Sequence, residues 1–369
     1  MAETAAKREV FQSLTGLRFV LAVWITLYHL AVMNGPPGLS ASPLLAVGNA
    51  RVDGFFLLSG FVLAHIYAVR TGGRFAFGPF LQARIARLYP LHLLGLAMLG
   101  IAVLAALATG RAEQAAAYTP LGFIANLFML QGWSIPGAGA WNFPAWTLSA
   151  EFFAYLCFPA FVIVAAKLAA RPLLLLALAI AAVALAEIAW GLLAEDRLGN
   201  LTQNWGILRG ACGVLVGIAV RYAFEKVKWT PLQAAAAAIS GAFLAGATAM
   251  QEGPLVALHA AGALLILGLA ALDRDGCKTP LGSPVMQHLG EISYALFILH
   301  VPLFVIAKRT LSLFGWDGVL TVPVALGFLG LALITAFLAN RLVEAPAREA
   351  IRSWRRPSLA PAKPSPRTP

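Results

Sequence analysis

The sequence predicts an all-α membrane protein, a polytopic bundle of about ten transmembrane helices. Two observations support this prediction. Of the 369 residues, 60% are hydrophobic and only 12% are charged. Segments almost free of charged residues also recur along the chain, and the length of each is close to the ~20 residues that a helix needs to cross a bilayer. The first segment is too long for the core of a signal peptide, so it is predicted to remain as a span.

The predicted spans follow one another closely, with one longer connection over residues 110–145. The spans are residues 14–32, 52–69, 88–109, 146–168, 172–193, 205–222, 231–250, 254–272, 292–307 and 319–342. Residues 121–130 are apolar but too few to span, which predicts an interfacial or re-entrant segment. We expect one membrane domain over residues 1–351 and a basic, proline-rich, disordered cytoplasmic tail over residues 352–369.

The distribution of basic residues predicts the orientation. Of the 27 lysines and arginines, twenty fall in segments on the N-terminal side and six on the opposite side, while Arg18 lies within a span. The positive-inside rule therefore places both termini in the cytoplasm, as an even number of spans requires. The net charge of +11 is explained by this topology and by lipid headgroups, and it does not indicate nucleic-acid binding. The three cysteines form no metal-ligand or disulfide pattern.

The first span carries two basic side chains, Arg18 and His29, eleven residues apart. At about 100° per residue they share one helix face, roughly 16 Å apart along the axis. A charged arginine at the bilayer centre costs about 2.5–3.5 kcal/mol, so it is normally turned toward protein or water. This arrangement predicts a hydrated or ligand-filled cleft beside the first helix. The alternative for His29 is a polar residue at the end of its helix near the interface.

The second and third spans add further charges at their ends. Asp53 shares a face with Gly60, and the small residue permits close helix approach. Asp53 is interpreted either as a partner of His29 or Arg18, or as a helix-start residue. Arg84 and Arg87 are three residues apart on one face, where paired guanidinium groups suit phosphate. Their alternative role is anchoring to anionic lipid.

The fourth span carries a polar stripe formed by Thr147, Glu151 and Tyr155 at intervals of four residues. A free carboxylate is costly there, so Glu151 is expected to pair with an arginine or histidine, either structurally or at a substrate site. In the ninth span, Ser293 and His300 share a face, and His300 is interpreted as structural. The chain has no Walker loop, no HExxH motif and no Gly-x-Ser-x-Gly elbow.

Several segments together resemble the membrane-bound acyltransferase family 3, integral-membrane enzymes that acylate sugars and other hydroxyl acceptors. The similarity keeps its order and spacing over about residues 14–348. The segments are LTGLRFVLAVWITLYHL, RVDGFFLLSGFVLA, RIARLYPLHLL, WTLSAEFFAYLCFP, LGEISYALFILHVPL and RLVEAPAR. One departure is in the fourth span, where the acidic pair often found in the family is reduced to Glu151 followed by Phe152.

The resemblance implies an acyl-CoA donor, commonly acetyl-CoA, and makes His29 the catalytic histidine. It assigns donor binding to Arg18, Arg84, Arg87 and Tyr89. His29 would act as general base or carry the acyl group covalently. Arg18 would also stabilise developing negative charge, and Asp53 or Glu151 would hold the charged side chains in place.

The expected enzyme is an acyl-CoA-dependent O-acyltransferase in the plasma membrane of a bacterium, with no metal and no tightly bound cofactor. The expected partners are acyl-CoA, a carbohydrate or glycosylated acceptor and membrane lipid, but no nucleic acid. A homodimer and a monomer both stay open, as do the acceptor, the acyl chain length and the side of the membrane on which transfer occurs. The alternative function is a transporter that moves a lipid-linked or small polar solute through the same cleft.

Overall fold

The computed structural model describes residues 11–34, 42, 48–69, 76–316 and 318–353. Within these residues the chain forms helices and turns and no strand, which confirms the predicted all-α class. Ten helical segments in this part of the chain are long and apolar enough to cross a membrane. The predicted disordered tail lies outside the described residues, except for residues 352–353, which end a helix.

Twelve α-helices are numbered here in chain order. They are α1 Gln12–Asn34, α2 Arg51–Ala64, α3 Phe77–Ala108, α4 Pro120–Leu127, α5 Trp146–Lys167, α6 Pro172–Ala194, α7 Gly206–Phe224, α8 Pro231–Met250, α9 Leu255–Arg274, α10 Pro284–Leu313, α11 Val322–Ala339 and α12 Ala345–Ser353. A π-helical turn, His65–Val69, extends α2, and a second, Asn340–Glu344, joins α11 to α12. The short helix α4 overlaps residues 121–130, the predicted interfacial or re-entrant segment.

Two helices begin earlier than the apolar segments predict. Helix α3 begins at Phe77 instead of residue 88, and α10 begins at Pro284 instead of residue 292. The apolar pattern starts only after the polar residues at the beginning of each helix, whereas the helical hydrogen bonds already include those polar residues. Both helices also run through an internal proline, Pro90 or Pro302, which neighbouring helices can accommodate in a membrane bundle.

Helix α7 is the centre of the bundle and packs against α2, α5, α6 and α9. It crosses α2 at glycines: a Cβ atom at Gly60 would lie 2.2 Å from the Val214 carbonyl oxygen, and one at Gly217 would lie 2.1 Å from that of Leu57. Small residues therefore let the two backbones touch, as is common in membrane helix pairs. Helices α6, α8 and α11 are mostly exposed and form the periphery.

Helices α1 and α10 run side by side in the same direction. At one end Gly290 lies against the backbone of Thr15, and at the other the Lys308 ammonium group donates to the carbonyl of Met33. The face of α1 that carries Arg18 and His29 is therefore turned toward α10 over its length. This pairing of the first and ninth spans positions the candidate site.

Candidate active site

A cavity of about 160 Å³ lies between α1, α2, α3, α5 and α10. Its polar lining includes three arginines, one carboxylate and several hydroxyl groups: Arg18, Ser59, Arg84, Arg87, Thr147, Glu151, Tyr155, Ser293 and Tyr294. Its apolar lining is mainly aromatic and branched aliphatic: Val52, Phe55, Phe56, Val62, Leu63, Leu88, Leu148 and Phe297. The structure thus brings four of the predicted site residues, all of them charged, into one cavity.

Arg18 enters the cavity from α1, as predicted, and is not turned to lipid. Its side chain forms no hydrogen bond or ion pair with any residue that the structure describes. Glu151 is close enough to act on it electrostatically, and so are Arg84 and Arg87. A guanidinium group that faces a cavity without a fixed partner can accept an anionic ligand.

Arg84 and Arg87 enter from α3, and their partners differ. Arg84 donates to the Tyr67 hydroxyl at 3.3 Å, and its guanidinium carbon lies 5.9 Å from the centre of the Tyr155 ring. Arg87 forms an ion pair with Glu344, which is fully buried, and lies over the ring of Tyr294. The charge of Arg87 is therefore already compensated, whereas Arg84 contacts a hydroxyl group and aromatic rings and forms no ion pair with a described residue.

Glu151 lies on α5 facing the cavity, one turn from Tyr155. Its Oε1 atom accepts hydrogen bonds from Ser59 Oγ at 2.6 Å and from the Tyr155 hydroxyl at 2.5 Å. The expected pairing with an arginine or histidine is wrong for the described residues, because two hydroxyl donors satisfy this carboxylate oxygen instead. Thr147 and Tyr155 also line the cavity, so the predicted stripe does share one face.

His29 is buried against α10 and does not line the cavity. Its Nδ1 atom lies 2.8 Å from Nε2 of His300, and the ring centres are 5.0 Å apart. The predicted single cleft shared by Arg18 and His29 is therefore not formed in this conformation. Phe297 explains the separation, because it lines the cavity and its ring centre lies 6.2 Å from that of His300.

Two other predicted residues lie away from the cavity. The carboxylate of Asp53 is bound by Arg209, with Nε and Nη2 at 3.0 and 2.6 Å, so the expected pairing with His29 or Arg18 is wrong. Asp53 does lie in the first turn of α2, as the alternative interpretation predicted. Tyr89 points its hydroxyl to the carbonyl of Leu127, outside the residues that line the cavity.

The sequence alone does not predict three of the pairings: His300 with His29, Glu344 with Arg87, and Arg209 with Asp53. His300 is identified from the sequence but interpreted as structural, because nothing in its own helix indicates that α1 lies opposite. Glu344 and Arg209 could have been suspected, since each is an ionisable residue within or beside an apolar segment and needs a partner. No group of three histidine, cysteine, aspartate or glutamate residues that could hold a metal ion occurs in the described part of the chain.

Comparison with known protein families covers the part of the chain that contains the cavity. A family model described as an acyltransferase domain matches residues 11–341, which include every residue of the cavity. The chain belongs to acyltransferase family 3. Together with the ten apolar helices, this membership makes it a membrane acyltransferase rather than the transporter of the alternative prediction.

Two known proteins are similar to this chain, and one of them is named as an acyltransferase. The acyltransferase MdmB of Streptomyces mycarofaciens is 28% identical over 381 residues, which cover 95% of this chain and 94% of the relative. Protein 2 in the picA locus of Rhizobium radiobacter is 46% identical over 92 residues, 25% of this chain and 44% of that protein. No solved structure matches the chain.

Proposed function

We propose that this acyltransferase moves an acyl group, most simply acetyl, from acyl-CoA to a hydroxyl of a carbohydrate or glycosylated acceptor. The observation that supports it most is the cavity: Arg18 and Arg84, neither of them ion-paired with a described residue, face a space that ends near a buried histidine pair. A donor that carries several phosphates at one end and a thioester at the other matches this order of groups.

The arginines would hold the phosphate-bearing end of the donor. Guanidinium groups bind two phosphate oxygens at once, and they do so best where water is scarce. Arg87 contributes less in this proposal, because Glu344 already compensates its charge. Arg18 and Arg84 supply the main attraction. No tightly bound cofactor or metal enters the proposal.

The thioester would then reach His29 along the aromatic part of the cavity. Phe55 and Phe297, whose ring centres are 5.5 Å apart, both line the cavity on the side of the histidine pair. Phe297 has to turn aside before the thioester carbonyl can meet His29. The proposal therefore includes a movement of the Phe297 side chain on donor binding.

The chemistry assigned to His29 is general base catalysis. Its Nε2 atom takes the proton of the acceptor hydroxyl, and the resulting oxyanion attacks the thioester carbonyl. The tetrahedral intermediate expels the CoA thiolate, which takes the proton back from the imidazolium to give the ester and free CoA. A positioned base of this kind contributes about 10²–10⁴-fold. An acyl-histidine intermediate is the alternative within the same reaction class.

The proposed location is the plasma membrane of a bacterium. The matched relatives come from Streptomyces mycarofaciens and Rhizobium radiobacter, both bacteria. Acyl-CoA is made in the cytoplasm, so the arginine end of the cavity would face that side. This agrees with the orientation that the basic residues predict.

The function is tested with purified protein, radiolabelled acetyl-CoA and a mixture of envelope glycans. The wild type is expected to release CoA and label an acceptor, and His29→Ala is expected to be folded but inactive. His288→Ala, at an exposed histidine, is the matched control and should keep wild-type activity. A wild type that releases no CoA with any acceptor, or an active His29→Ala, contradicts the proposal.

The donor site is tested separately by equilibrium binding of labelled acyl-CoA. Arg84→Ala should weaken binding at least about tenfold, the effect of losing about 1.4 kcal/mol. Arg87 is left in place, because its loss would leave the buried Glu344 carboxylate without its counter-ion. Arg171→Ala, at an exposed arginine outside the cavity, should bind as the wild type does. Unchanged affinity in Arg84→Ala would instead assign this arginine to lipid anchoring.

A further inference from the structure

The proposed base, His29, is one of two buried histidines that contact each other. His29 and His300 come from α1 and α10 and are both buried, with 7% and 1% of their surface exposed. Besides its 2.8 Å contact to His29, His300 has a second contact: its Nδ1 atom lies 3.1 Å from the carbonyl oxygen of Leu296. These two contacts determine where the protons of both rings lie.

A carbonyl oxygen only accepts hydrogen bonds, so Nδ1 of His300 must carry a proton and donate it to Leu296. A neutral His300 then has a lone pair at Nε2, and this atom can only accept from His29. His29 therefore carries its proton at Nδ1. Its Nε2 atom is left with a free lone pair, which is the atom that a general base needs.

The surroundings of the pair keep both rings neutral. The rings packed against them are aromatic: Tyr28 and Phe143 lie 5.1 and 5.6 Å from His29, and Phe304 lies 5.8 Å from His300. No carboxylate contacts either ring in the described part of the chain. A charged orienting group would be costly in this apolar environment, whereas a neutral imidazole is not.

We propose that His300 is a positioning residue that fixes His29 in the Nδ1–H tautomer and shares the proton taken up during acyl transfer. The inference rests on the proposed function and assigns a role to a second residue in it. When Nε2 of His29 takes the acceptor proton, the Nδ1 proton can move across the 2.8 Å contact to His300. The positive charge is then spread over two rings until the CoA thiolate takes a proton back.

The test compares two amides at position 300. The amide of His300→Gln ends where Nε2 of the histidine lies, so its oxygen can still accept from His29. The amide of His300→Asn ends one methylene short, near the position of Nδ1, and cannot reach. Glutamine should keep kcat within about tenfold of the wild type, while asparagine should lose about 10²–10⁴-fold, the value of an oriented base.

The Michaelis constant for acyl-CoA should stay within about threefold in both variants, because the arginines of the donor cavity are untouched. A merely structural role for His300 would not separate glutamine from asparagine in this way. Equal kcat in the two variants, or an asparagine variant as fast as the wild type, overturns the inference. If wild type and His29→Ala behave as proposed in the same assays, that result leaves the proposed function intact.

The tautomers of both histidines can also be measured in the wild-type protein, so this second test does not depend on a variant that folds. With ¹⁵N-labelled histidine, solid-state NMR of the protein in lipid bilayers reports the protonated nitrogen of each ring, and the chain has only 6 histidines. His29 and His300 are expected to be protonated at Nδ1 and unprotonated at Nε2. A proton at Nε2 of His29 in the resting enzyme would overturn the inference.

Discussion

At the residue scale, two buried carboxylates of this enzyme form ion pairs with arginines. Asp53 is bound by Arg209, Glu344 is bound by Arg87, and each of these carboxylates is nearly or fully inaccessible. Arg18 differs, because it faces the cavity with no hydrogen bond to a described residue. Both partners of a buried ion pair are needed for the stability of the fold, independently of any catalysed reaction. A guanidinium group that faces a cavity is instead available to a ligand.

Asp53 is therefore expected to stabilise the fold and to take no part in the chemistry. Asp53→Asn leaves Arg209 charged, only 1% exposed and without its counter-ion. This should lower the free energy of unfolding by about 3–5 kcal/mol. Thermal melts in detergent measure the effect, with Glu113→Gln at an exposed carboxylate as control. A variant that melts like the wild type but has lost activity would contradict this assignment.

The sequence predicts the face of a residue better than its partner. Helical geometry alone places Arg18 and His29 on one face of α1, and both do turn toward α10. Their neighbours depend on which helices meet. His300 is 271 positions from His29 along the chain, and Glu344 is 257 positions from Arg87. Nothing local at either position encodes those contacts.

At the element scale, glycines decide how closely the helices approach. Hydropathy predicts which segments are apolar enough to cross a membrane, and the described residues contain ten such helices, as predicted. It does not predict that α2 and α7 touch through Gly60 and Gly217, because lipid and leucine are equally apolar neighbours for a helix. The predicted role of Gly60 in close helix approach is nevertheless confirmed.

Gly60→Ala should separate α2 from α7 and destabilise the bundle. The added Cβ atom would lie 2.2 Å from the Val214 carbonyl oxygen, which belongs to the backbone and cannot move aside alone. We expect a loss of about 1–3 kcal/mol. Gly327→Ala in α11 is the matched control: its Cβ atom meets nothing within 4 Å, so helix propensity should make it neutral or stabilising. Melting temperatures and size-exclusion profiles would show the contrast, and equal behaviour would contradict it.

At the scale of the whole molecule, ten spans that alternate across a bilayer would place the loop after α7 and the loop after α6 on opposite sides. The basic residues predict that the loop after α7 is cytoplasmic. In a background without the three native cysteines, Lys228→Cys should react with a membrane-impermeant maleimide only after the cells are opened. Asp196→Cys should react in intact cells. The reverse pattern would invert the predicted orientation.

The parallel contact of α1 with α10 also has a consequence for biosynthesis. The ribosome makes His29 in the first span, but its imidazole partner His300 follows 271 residues later. At the usual 5–20 residues per second, roughly 14–54 s pass between the two. During that interval the insertion machinery holds a first helix that carries an arginine and a histidine before the ninth span exists. The histidine pair therefore forms only after nearly all of the chain has been synthesised.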